Sequence, residues 1–218
     1  MLENIILEDV LVFDIETVPQ RENLADFSPE MNSLWDEKVG RFRDEGVDEQ
    51  EYYFSKAGIH AEFGKVVCIS AGFFKTINGQ LTLRVKSFFG DDEKQVLSGF
   101  GGMLDGYFKN PNKYFLCGHN IKEFDVPYLA RRMLIHGIKL PNLLDLAGKK
   151  PWEVKHIDTM ELWKFGDYKK YTALKLLTAV FDIPTPKDDI DGSQVGTVYW
   201  HEKDLERIAI YCSKDVLA

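Results

Sequence analysis

The chain reads as an α/β protein on three observations. Short apolar runs bounded by turn residues, such as Val10-Leu11-Val12-Phe13 and Tyr114-Phe115-Leu116-Cys117, have the length of buried strands. Later runs are followed by stretches with apolar residues at helical spacing. The order is an antiparallel hairpin first, marked by Asn78-Gly79, and strand–helix units afterwards.

Strands are expected at Val10–Ile15, Lys65–Phe74 and Leu81–Phe89, the last two joined through Asn78-Gly79. Asp91 and Glu93, after Gly90, mark the start of a helix reaching Phe108, because acids favour the positive end of the helix dipole. Strand Tyr114–Cys117 ends at Gly118-His119-Asn120. The next helix, Glu123–His136, takes Phe124, Tyr128, Leu129, Met133 and Leu134 as its apolar stripe. His156–Thr159 reads as a short strand. Thr172–Phe181 reads as a helix with Leu174, Leu176, Leu177 and Val180 apolar, and Pro184 prevents its continuation. The last helix starts near Lys203. The acidic segment 20–60, with Trp35, Phe42, Tyr52, Tyr53 and Phe54, reads as helices inserted between the first two strands of a single domain over 1–218. It either folds over the functional site or packs as an appendage.

Composition narrows the class. The 218 residues, 44% hydrophobic, suit one domain with a core. No run is long and apolar enough to cross a membrane, and the N-terminus carries no basic region or cleavage signal. Cys68, Cys117 and Cys212 lack CxxC spacing, which suggests reduced thiols in cytoplasm and no zinc site. The net charge of -8 is uneven: residues 109–175 hold 13 Lys and Arg against seven Asp and Glu. In that block Arg131, Arg132, Lys149, Lys150, Lys155, Lys164, Lys169 and Lys170 interleave with Trp152, Trp163, Phe165, Tyr168 and Tyr171. Cations beside stacking rings hold single strands without reading sequence. A solvated helix face with core aromatics explains the pattern equally well.

Three motifs carry the chemistry. The chain has three Asp-x-Glu pairs: Asp14/Glu16, Asp91/Glu93 and Asp204/Glu206. Only the first comes after a buried-strand pattern, with Thr17-Val18-Pro19 behind it as a breaker. Residues two apart on a strand share a face, so Asp14 and Glu16 can grip one ligand. Asp204/Glu206 reads as solvated surface. Asp125 sits in the first turn of its helix, where a lone acid would simply favour the dipole. Tyr211 and Asp215 are four apart on the last helix and stack on one face. Four carboxylates at one point raise one another's pKa unless cations lie between them. Hard cations held by carboxylate oxygens are common machinery for cutting phosphodiesters.

The order Asp-x-Glu, Asn120-x-x-x-Phe124-Asp125 and Tyr211-x-x-x-Asp215 resembles the DEDDy 3′→5′ exonucleases. GHNIKEFDVPYLARR is especially similar to the proofreading domain of family B DNA polymerases, and the chain looks like a stand-alone relative of it from Glu8 to Asp215. The histidine subclass would need His where Ile210 stands. The resemblance implies a ribonuclease H-like fold, a mixed central sheet flanked by helices. It implies two divalent cations, Mg²⁺ or Mn²⁺, held by Asp14, Glu16, Asp125 and Asp215. Asp14 is expected to bridge the cations, Glu16 and Asp125 to complete their shells, and Asp215 to hold the one that acidifies water. Tyr211 is expected to orient that water, since its normal pKa near 10 argues against a base. Thr17, Asn120 and Phe124 are the expected substrate-binding residues, and Asp158 is a lesser candidate for steadying the ligands. The expected substrate is a nucleic-acid 3′ end, single-stranded DNA first, released as nucleoside 5′-monophosphates. Two other classes stay open: a catalytically silent nucleic-acid-binding domain, and a metal-dependent phosphoesterase acting on small nucleotides.

Overall fold

The computed structural model describes residues 3–167, 169–183 and 189–218. Tyr168 and Pro184, both singled out from the sequence, lie outside the described residues. Five strands form one mixed sheet: β1 (Val10–Pro19), β2 (Gly64–Ile77), β3 (Gln80–Phe89), β4 (Phe115–Gly118) and β5 (Ile157–Asp158). Their order is β3-β2-β1-β4-β5. β1 lies at the centre, antiparallel to β2 and parallel to β4. β2 and β3 form the expected hairpin, with Asn78 and Gly79 at φ 52° and 78°. Two consecutive positive φ values give a two-residue turn whose twist matches its strands.

Helices α1 (Pro29–Val39) and α2 (Glu49–Lys56) lie between β1 and β2 in sequence. α3 (Glu93–Tyr107) comes after β3, α4 (Asp125–Ile135) after β4, and α5 (Thr159–Lys164) after β5. α6 (Leu174–Val180) and α7 (Val195–Thr197) come next, and α7 opens into a π-helical turn, Val198–Glu202. α8 (Leu205–Leu217) is the last helix. Alternation along β1 decides which face meets which helix. Leu11, Phe13 and Ile15 join Phe100 and Leu104 of α3 and Leu129 and Met133 of α4 in the main core. On the other face, Val67 and Cys68 of β2 pack with Ile208 and Cys212 of α8. A third cluster surrounds the fully buried Trp35, with Tyr53, Ala57 and Phe63. This is the α/β, ribonuclease H-like arrangement: a mixed sheet with helices on both faces. No described helix is long and apolar enough to cross a membrane.

Some local expectations need correcting. Thr17-Val18-Pro19 does not break β1; it continues the strand, paired with Val66, Lys65 and Gly64 after a bulge at Glu16/Thr17. Buried Val18 holds the strand in place, and Pro19 sits at its end, where no ladder donor is needed. In α4 the buried set includes Val126, whereas Leu134 is 64% exposed. In α6 Leu177 is buried but Leu176 and Val180 face outward. Arg132, one of the basic residues that read either as strand-holding or as a solvated helix face, is 2% exposed and is neither.

Arg132 instead forms the buried tie between α4, α3 and β2. Its Nε donates to Glu93 Oε1 at 2.8 Å, and its Nη1 donates to the Ala61 carbonyl at 2.8 Å. Glu93 also accepts from the Val66 N–H at 2.8 Å, and His136 Nε2 lies 2.7 Å from its other oxygen. Burial pushes the Glu93 carboxyl up, but hydrogen bonds from Arg132 and Val66 outweigh it and hold the group below the usual range. Removing one partner of such a pair strands a buried charge. Arg132→Ala is therefore expected to cost about 3–5 kcal/mol in urea unfolding at neutral pH. A cost under about 1 kcal/mol would mean that water reaches Glu93.

Candidate active site

Asp14 and Glu16 leave the middle of β1 on the α8 side, in register with Ser70 and Cys68 of β2. The bulge just after them is a common device beside functional sites. β4 ends at Gly118, where a Cβ would lie 2.6 Å from the Phe13 carbonyl and collide with Ile121. Only glycine lets β4 turn so close to β1 at this point. The chain then enters the left-handed region at Asn120, φ 65°, a conformation asparagine tolerates.

Asp158 fixes that turn. It is 2% exposed and accepts from the Asn120 N–H at 2.9 Å and the Lys122 N–H at 3.0 Å. The same carboxylate caps α5, accepting from the Met160 and Glu161 N–H groups. The Phe124 N–H returns to the Asn120 carbonyl at 3.0 Å, and α4 begins at Asp125. His119 adds a second tie: its Nε2 donates to the Thr172 carbonyl at 2.7 Å, and Nδ1 lies 2.9 Å from the Thr159 hydroxyl.

α8 supplies the remaining groups. Cys212 packs on β1, with Sγ 3.4 Å from the Asp14 carbonyl and 3.6 Å from Asp14 Oδ2. Its neighbours Tyr211 and Asp215 face the same cavity. That cavity, about 450 Å³, is lined by Asp14, Glu16, Asp125, Tyr211 and Asp215 together. Thr17, Asn120 and Phe124 line it too. All eight residues singled out from the motifs thus meet in one place. Asp158 stands behind the wall, holding the turn that carries Asn120.

Other residues outside the three motifs also line the cavity. Phe54 and Ser55 of α2 form part of its wall, so the segment between β1 and β2 reaches the site. Phe54 stacks on His201, with centroids 5.1 Å apart and planes 7° from parallel. His119, Tyr171 and Ser193 also line it. Of the basic and aromatic block, Tyr171 faces this cavity, while Trp163 and Phe165 line an adjoining apolar one.

Burial and mutual charge dominate the electrostatics. Glu16 is 8% exposed; burial, then the charges of Asp14 and Asp215, push its carboxyl well above the usual range. Burial drives Asp125 up to about 7, despite hydrogen bonds from its own amide and that of Ile15. Burial, then Glu16 and Asp215, raise the Tyr211 hydroxyl. Burial, Cys68 and Asp14 likewise raise the Cys212 thiol, which keeps it protonated. Donor atoms of Asp14, Glu16 and Cys212 all lie within 4.8 Å of one another. With the thiol protonated, the usable donors are hard carboxylate oxygens, the set that Mg²⁺ or Mn²⁺ takes. The residues present fit such ions.

A carboxylate-lined cavity at the centre of a ribonuclease H-like sheet defines a nuclease class. The chain belongs to the family described as predicted 3′-5′ exonucleases related to the exonuclease domain of PolB, whose model matches residues 57–218. The match includes Asn120, Phe124, Asp125, Tyr211 and Asp215; β1, with Asp14 and Glu16, precedes it. No curated protein matches the chain significantly. Family membership implies nuclease chemistry on a nucleic acid.

The raised acid and the capped turn can each be tested. An acid whose folded pKa is raised favours its neutral form, so its contribution to stability is lost as pH rises from about 4 to about 7. In EDTA, Asp125→Asn is expected to melt at least about 3 °C above the natural protein at pH 8, the shift that about 1 kcal/mol gives in a chain this long. The gap should close near pH 4; a gap independent of pH would exclude titration as its cause. Asp158→Ala removes a cap and two loop acceptors and is expected to cost about 2–3 kcal/mol in urea unfolding. A loss of only a few tenths would show that the turn holds without it.

Proposed function

We propose that the protein is a metal-dependent 3′→5′ exonuclease that shortens single-stranded DNA and releases nucleoside 5′-monophosphates. The observation that carries this reading is the meeting of four carboxylates and Tyr211, from β1, α4 and α8, in one cavity of a chain of exonuclease family. Asp14, Glu16, Asp125 and Asp215 would hold two divalent cations, Mg²⁺ or Mn²⁺. Such ions, when bound, neutralise phosphate charge and acidify water.

The chain's own groups do the positioning. Thr17, Asn120 and Phe124 line the cavity beside the carboxylates and receive the terminal nucleotide. Asn120 Oδ1 is buried and has no hydrogen-bond partner among the described residues, so a donor on that nucleotide would satisfy it. Phe124 offers a half-buried ring for stacking. Tyr211 stays protonated, because burial and acidic neighbours raise its hydroxyl. It therefore donates a hydrogen bond that orients the attacking water and does not take its proton. Water attacks the terminal phosphorus in line; the new P–O bond forms as the bond to the 3′-oxygen of the preceding nucleotide breaks, and the proton the water loses is balanced by the one that the leaving 3′-oxygen takes from solvent to become a hydroxyl. Phe54 and Tyr171 stand at the walls and limit how far the strand end can move.

The test is a gel assay on 5′-labelled single-stranded DNA and RNA of one sequence, with Mg²⁺, Mn²⁺ or EDTA. A ladder shortening from the 3′ end is expected with either metal and none with EDTA. Asp14→Ala should lose at least about 100-fold in rate, while Tyr211→Phe keeps strand binding and loses about tenfold or more. Folded protein that cuts neither strand in either metal would overturn the reading.

A further inference from the structure

A second concave surface lies on the opposite face of the sheet from the carboxylates. It sits between the β2–β3 hairpin and α3 and encloses about 600 Å³. Lys75, Arg84 and Lys86 line it together with Phe73, Phe88 and Tyr107. The strand register explains the grouping. Phe73 pairs with Arg84 and Ala71 with Lys86, so these side chains alternate onto the α3 face. Ser70 and Cys68, the partners of Asp14 and Glu16, point the other way.

The charge here runs against the net charge of the chain and lies outside the basic block 109–175. The chain carries a net charge of -8, yet no carboxylate among the described residues lines this groove. The three cations are exposed and form no ion pair among the described residues. Arg132, Arg207, Arg43 and Lys122, by contrast, all face acids. Charges on an edge strand can serve only to deter edge pairing. These three instead rim a hollow whose walls are rings: Tyr107 is 75% exposed, and the Lys86 ammonium sits 4.5 Å from the Phe88 centroid. The floor is open as well, since a Cβ on Gly102 of α3 would meet nothing within 4 Å.

Cations beside one exposed ring, Tyr107, and two half-buried ones, Phe73 and Phe88, match a strand that offers a phosphate and a stackable base in every repeat. An acidic peptide offers the charge without the stacking. We infer that the groove between the β2–β3 hairpin and α3 is a second nucleic-acid site, which holds a stretch of strand away from the end in the carboxylate cavity. This inference goes beyond the proposed hydrolysis and does not require it.

The test measures binding of a fluorescent single-stranded oligonucleotide, about 16 nucleotides or longer, to the full chain in EDTA. The variant is the triple Lys75→Ala, Arg84→Ala, Lys86→Ala. A triple of equal charge from exposed positions outside every cavity described, Arg41→Ala, Lys94→Ala, Lys139→Ala, is the control. Three lost phosphate contacts at about 0.7 each should lower the slope of log affinity on log salt by about 2. The fall in affinity between 50 and 200 mM salt should then shrink about 20-fold, with the control much less affected. An unchanged slope, or an equal change in the control, would overturn the site. Polyglutamate binding lost in the groove triple, with oligonucleotide binding kept, would assign the groove to an acidic protein and overturn it too. Binding that depends on the groove in a chain that cuts nothing in Mg²⁺ would sink the exonuclease reading and leave this one standing.

Discussion

Four backbone N–H groups converge on the carboxylate of Asp158, and the site depends on that convergence. Two come from the turn after β4 and two from the start of α5. A carboxylate has about four lone-pair positions, so one side chain can saturate itself on loop amides. Buried at the end of β5, it joins two parallel strand–helix units at the level of the cavity. The left-handed Asn120, the Gly118 turn and the first turn of α4 are all held through it. Asp125 is thereby set against the Ile15 amide, between Asp14 and Glu16 on β1.

The molecule treats its buried acids in two opposite ways. Glu93 is matched by Arg132 and by the Val66 amide, and the fold keeps it ionised as a tie between layers. Glu16 and Asp125 lie among other acids, and burial lifts both carboxyls. The first arrangement suits permanence. The second pushes its carboxyls toward the neutral form, so the same kind of residue is held ionised in one place and kept from ionising in the other. The distinction is carried by partners supplied from distant segments and not by local sequence.

Much of this was legible in the chain itself. Alternation and turn chemistry located all five strands and the hairpin at Asn78-Gly79, because period and turn type are local signals. The carboxylates and Tyr211 stood out because they sit in short motifs on regular elements. What stayed hidden was tertiary. Arg132 looks like its neighbour Arg131 in sequence, yet one is buried against Glu93 and the other is exposed. Thr17-Val18-Pro19 looks like a breaker, but pairing with β2 overrides the local cue. Phe54 reaches the cavity as one of the two readings of segment 20–60 expects, but Ser193 reaches it through loop placement that its neighbouring residues do not signal. Asp158 showed as an acid near a strand end, but its four amide partners exist only in the folded turn.

The packing of α8 on β1 and β2 bears on how the cavity comes into being. Its carboxylates lie at positions 14, 16, 125 and 215, so the first and last stand some two hundred residues apart. No contiguous piece shorter than residues 14–215 holds all four. The α8 wall of the cavity, where Cys212 lies against Asp14, comes from the last helix described. Without α8 the cavity would lack Tyr211 and Asp215, two of the five motif side chains that line it.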